Sequence, residues 1–173
     1  MTISLYDISV PGFIQTLDAL GVIMDKGLLY CRDNNIDPAE MVAARLFPDM
    51  QPFSFQIQLA AHHSIGAADS IKGGAFNRPD VKADCDYAGL QALTADAASR
   101  LRTIAPEEID SREDAEIGFN IPNFDGKFTA VGFLTSFSQP NFHFHATTAY
   151  DILRSRGVPV GKMDYLGAMR LKG

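Results

Sequence analysis

Apolar residues recur at three- and four-residue steps in three long stretches of this chain, and each stretch predicts an amphipathic helix. In the first, Phe13, Leu17, Leu20, Met24, Leu28 and Cys31 form one stripe, opened by Ser9, Val10 and Pro11 and fraying at residues 33–35. The second runs from Pro52 to Lys72 and is apolar on two sides, with Phe55, Leu59 and Gly66 on one and Ile57, Ala61, Ile65 and Ala68 on the other. An element of that kind is buried between two partners, and Gly73-Gly74 closes it. The third carries Leu90, Leu93, Ala97, Leu101 and Ile104, is capped by Asp84 or Asp86, and ends at Pro106.

A fourth helix is expected over Gln139 to Gly157. Pro140 suits a first helical position with Ser138 or Gln139 as its cap, and Gly157, Val158 and Pro159 form a stop. At about 100° per residue, Phe142, Ala146, Ala149 and Leu153 share one face. His145 lies on one flank of that face and His143 on the other, near Tyr150. Asn141 to His145 also alternates like a strand, but the alternation stops at Ala146 and the helix signals fit better.

Shorter elements fill the gaps. Asp37-Pro38-Ala39-Glu40 opens a short helix through Met41 to Leu46. Ile117, Phe119 and Ile121 alternate ahead of Asp125-Gly126, a hairpin-type dipeptide, which predicts a small β-hairpin or ordered loop. Ala130 to Phe137 reads as a short helix, and Asp164 as the cap of a turn over Tyr165 to Ala168. The expected architecture is all-α: one domain over residues 1–173, a four-helix bundle with a small β-hairpin or loop insertion before the last helix.

Composition narrows the function classes. The 173 residues carry a net charge of −6, with no basic run to track phosphates, which argues against a nucleic-acid partner. The first residues lack a positive and then apolar leader, no apolar run approaches membrane-spanning length, and Cys31 and Cys85 are isolated. Those features predict a cytoplasmic protein with reduced thiols and no membrane partner.

The candidate chemistry sits on the four histidines. Imidazoles from the second and fourth long helices, His62 or His63 and His145, would face one another inside the bundle. A divalent metal such as zinc or nickel is one occupant, with His63 and His145 as ligands. The set is short by one, because a second histidine four residues along the last helix would fall on Ala149 or, counted from His143, on Thr147. His143 and His145, two apart, point to opposite sides and cannot share an ion. The other occupant is an unidentified small molecule in an apolar pocket lined by His62, His63, His145, Phe142 and Tyr150. Among nucleophiles, Cys85 stands between Asp84 and Asp86, which disfavour its thiolate, and Cys31 lies on a buried stripe. Phe144 points off the apolar face and needs cover from the hairpin or from a second subunit, which favours a homodimer.

Three blocks carry a resemblance across nearly the whole chain. SLYDISVPGFIQTLDALGVIMDKG, ARLFPDMQPFSFQIQLAAHH and PNFHFHATTAYDILRSRGVPVGKMDYLG, in that order, resemble the family known as domain of unknown function nineteen-ninety-three. That family in turn resembles the DinB/YfiT-like superfamily of four-helix bundles, often dimeric, many of which bind a metal through three histidines. Some of that wider group are thiol-cofactor-dependent transferases. The resemblance therefore implies a DinB-like bundle, with a metal-dependent transferase or hydrolase as the alternative to a dimeric small-ligand-binding protein. The superfamily pattern places one histidine on the second helix, matched by His62 or His63, and two on the fourth, matched by His145 and departed from at Ala149.

Overall fold

The apolar stripes fold as four long helices packed around one core. The computed structural model describes residues 3–121 and 124–171. In chain order the elements are α1 (Val10–Asp33), α2 (Pro38–Ala43), α3 (Phe53–Gly73), α4 (Tyr87–Arg102), α5 (Pro106–Asp110), β1 (Glu116–Ile121), β2 (Phe124–Thr129), α6 (Ala130–Gly132), a π-helical segment (Phe133–Ser138), α7 (Gln139–Ser155) and α8 (Lys162–Leu166). α3 is the central rod, lying against both α4 and α7, while α1 covers α4 and receives α8. Its two apolar sides explain that position, since Ile57, Ala61, Ile65 and Ala68 are buried along with Leu59.

The helix ends follow their sequence signals. Asp86 caps α4 by accepting from Gly89 N at 2.8 Å, and Asp37 caps α2 by accepting from Ala39 N at 2.9 Å. α3 stops at Gly74, whose φ of 77° is the left-handed conformation a glycine adopts most readily. Phe13 and Phe142, both buried, meet edge to face with ring centroids 4.8 Å apart and tie α1 to α7.

Four details differ from the sequence pattern. Pro106 does not merely end α4; it is a first-turn proline of α5, where Glu108 accepts from Ala105 N at 2.9 Å. Asp125 and Gly126 do not make the hairpin turn. They lie inside β2, opposite Asn120 and Phe119, and residues 122 and 123, which precede β2, are outside the described residues. Asp164 sits within the first turn of α8 rather than before it, accepting from Gly161 N at 2.8 Å and holding Lys26 of α1 at 2.6 Å.

The fourth difference matters most to the site. Ser138 is not a cap: its φ and ψ of −71° and −48° are helical, and the last helix continues upstream through it. Pro140 has no N–H to donate and crowds the preceding turn. The chain meets that constraint by widening to a π-helical turn over Phe133–Ser138, in which Gln139 N donates five residues back to Leu134 O. Freed from capping, the Ser138 hydroxyl donates at 2.8 Å to His63 O on α3.

Candidate functional site: a histidine row beside a cleft

Three of the four histidines form a row across α3. His63 and His145 lie at the α3–α7 interface, 4 % and 8 % exposed, with ring planes 9° apart and centroids 5.9 Å apart. His62 stands edge-on to His63 at 5.3 Å. Phe137 and Phe76 pack around His63, and Phe55 packs against His145. His143 is exposed on the far side of α7, against Phe142. One turn of α3 thus serves two surfaces, with His63 toward α7 and His62 toward α4.

Burial governs the protonation of the row. It lowers His63 to about 3, with the neighbouring His62 and His145 adding to the effect, and it lowers His145 to about 4. His62 is also lowered by burial, countered by a hydrogen bond to the Asn77 backbone. All three imidazoles are therefore neutral at pH 7. His145 Nδ1 lies 2.8 Å from Gln56 Oε1, and Gln56 Nε2 donates to Gln51 O at 3.0 Å. Two nitrogens, His62 Nε2 and His63 Nδ1, are buried with no hydrogen-bond partner among the described residues.

The row does not complete a metal ligand set. Among the described residues, no three His, Cys, Asp or Glu side chains are grouped so as to hold an ion. His145 already engages Gln56 with one nitrogen, and no carboxylate contributes to the shifts of His62, His63 or His145. Ala149, where a third imidazole would stand, is packed in the core. The residues present do not fit a resident zinc or nickel ion.

Beside the row, between α3, α4 and residues 77–85, is a cleft of about 700 Å³. Its floor is aliphatic, from Ala61 and Ile65 of α3 and Leu93 and Ala97 of α4, and His62 and Gln58 supply polar groups. Gly66, one turn after His62, leaves room for the imidazole to lie along the helix; a Cβ there would meet His62 Nδ1 at 3.2 Å. At one end Arg100 is held by Asp69 at 2.8 Å. Of the five residues the sequence placed around a pocket, only His62 lines this cleft. His63 and His145 belong to the closed interface behind it, Phe142 packs on Phe13, and Tyr150 packs on Tyr165 at 5.9 Å. The aromatic rings cluster around His63, so the wall of the cleft is aliphatic instead.

Gln58 and Leu93 are among the cleft residues that sequence reasoning missed. Leu93 belongs to the α4 stripe by its spacing, yet it is exposed, and Leu28 departs from the α1 stripe in the same way to line a second cleft of about 510 Å³. A stripe residue left at the edge of the bundle becomes a groove wall.

The model of the family described as Domain of unknown function (DUF1993) matches residues 5–166. The chain belongs to the DUF1993 family. Among solved structures, this DUF1993 chain is similar to a DinB family member protein from Shewanella denitrificans, with 29 % identity and a TM-score of 0.84 over 98 % of this chain and 95 % of that one. The DUF1993 chain thus has the DinB-like fold, a helical bundle with a two-stranded antiparallel hairpin ahead of the last helix. No curated protein matches it. No helix of the DUF1993 structure is long and apolar enough to cross a membrane, among the described residues.

Proposed function

We propose that this DUF1993 protein binds a small, largely apolar molecule in the cleft between α3, α4 and residues 77–85, with His62 as a neutral hydrogen-bonding contact. One observation carries the reading: a cavity of about 700 Å³, within the size range of small-molecule sites, has an aliphatic floor and an imidazole that burial keeps uncharged. The reading is of binding rather than catalysis. Cys85, the thiol on the wall, is pushed up by burial and by Asp86, so its thiolate is scarce at neutral pH. The histidine row lacks the third ligand that a metal-assisted transferase or hydrolase would use. The proposal includes a homodimer, supported by Phe144, which is 57 % exposed on α7.

The test is titration with anilinonaphthalene sulfonate, a probe of apolar clefts. The wild-type chain should bind one probe per chain, and Leu93→Trp, which fills the cleft from a half-exposed position, should abolish binding without changing the melting temperature. Unaltered binding by Leu93→Trp would place the probe elsewhere and overturn the reading.

A further inference from the structure

The outer wall of the cleft is not a helix but the strap joining α3 to α4, including Asn77, Pro79, Val81 and Lys82. The strap is anchored at both ends. Phe76 N donates to Gly118 O at 2.8 Å and Gly118 N to Gly74 O at 2.8 Å, while Asp86 caps α4. Between those anchors, two side chains of α3 hold it down, Gln58 and His62, four residues apart on one helix face. Gln58 makes the firmer hold. Its Oε1 accepts from Lys82 N at 2.7 Å and its Nε2 donates to Lys82 O at 3.0 Å, so one side-chain amide grips both backbone groups of one residue. A further bond, Nε2 to Ser54 O at 3.2 Å, orients the amide, and Gln58 is only 7 % exposed. Among the described residues no ion pair involves Arg78, Asp80, Lys82 or Asp84, so the charged side chains of the strap add no second clasp.

We infer that residues 77–85 are a lid over the cleft and that Gln58 is its latch. A buried polar pair of this kind holds one backbone residue in register, and it can be exchanged for bonds to water when the strap lifts. Lifting at Lys82 uncovers Ile65, which is 8 % exposed with the strap down, and gives an apolar molecule its way in. Loops that gate sites are drawn from segments with few buried contacts, and here the middle of the segment rests on one amide pair and the His62 contact. The lid rests on the ligand-binding reading only for what passes beneath it; the latch stands on its own hydrogen bonds.

The experiment is hydrogen–deuterium exchange on the full chain, with stopped-flow binding of anilinonaphthalene sulfonate beside it. In Gln58→Leu, amides of residues 77–85 should exchange about tenfold faster while α1 and α7 keep their protection, and probe association and dissociation should both quicken. Unchanged exchange in the strap, or equal acceleration in every helix, would overturn the latch. Gln58→Glu serves if Gln58→Leu does not fold. A protonated carboxyl presents the same donor and acceptor to Lys82, and a carboxylate presents acceptors only. Strap exchange in Gln58→Glu, relative to wild type at the same pH, should fall toward parity at pH 5 and rise at pH 8; a ratio that ignores pH would overturn the proposal. Wild type that binds no probe would remove the ligand reading, with the latch decided by exchange alone.

Discussion

His145 Nδ1 and Gln56 Oε1 are joined by a 2.8 Å hydrogen bond in the α3–α7 interface. Because Gln56 Nε2 gives its proton to Gln51 O, the amide oxygen must face the imidazole, and His145 carries its hydrogen on Nδ1. Replacing Gln56 with Leu leaves that N–H buried with nothing to receive it. The variant should lose about 1–3 kcal/mol of stability, read as a lower urea midpoint at unchanged slope.

Stability should depend on pH through the same row. His63 and His145 are lowered to about 3 and about 4 in the fold, from 6.5. A base whose folded pKa is depressed takes up its proton first in the unfolded chain. Their stabilising effect is therefore complete above pH 6.5 and is lost progressively as pH falls toward 4 and then 3. The loss between pH 7 and pH 4 should reach the order of a few kcal/mol. Urea unfolding at stepped pH measures it, and His63→Phe should flatten the slope.

The contact between Phe13 and Phe142 sets a packing prediction. Phe142 is fully buried, and truncation to Ala removes the ring that joins α1 to α7. A loss of about 3–5 kcal/mol is expected in denaturant unfolding. Phe144→Ala, on the same helix but exposed, should cost less than about 0.5 kcal/mol in the monomer.

Phe144 also tests assembly. If a second copy covers it, Phe144→Glu should shift the light-scattering mass of the eluting protein from two chains to one, with helical content retained. A wild-type mass of one chain over a wide concentration range would remove the homodimer.

The bundle was legible in the chain because its four apolar stripes have the helical period and three of its helix ends carry recognisable punctuation. Gly74 and Asp37 act where the sequence places them, and Asp86 is one of the two caps it allows for α4. That an imidazole of α3 would lie toward His145 was an expectation of the sequence, which left His62 and His63 as equal candidates. What did not follow was the side chosen by His62, since adjacent positions on α3 differ by about 100° and both directions lead to a packed neighbour. The cleft was hidden for another reason. It depends on the path of residues 77–85, set by a glutamine amide meeting a backbone residue 24 positions later, and no local periodicity records such a pairing. Asp125-Gly126 misled because a turn-favouring dipeptide was outweighed by strand pairing across from Phe119 and Asn120.

The widened turn ahead of Pro140 also sets a phase. A π-helical stretch fits an additional residue into the ladder, so the chain on either side of it keeps its rotational phase although it is one position longer. Deleting a single position there, Thr135 for instance, would restore ordinary winding with the hairpin and the imidazoles still in phase, whereas a deletion in the regular helix between Pro140 and His145 would turn everything upstream by about 100° relative to them. Length is therefore buffered in this segment, and the loss of one residue should disturb the imidazoles far less here than the same loss inside α7.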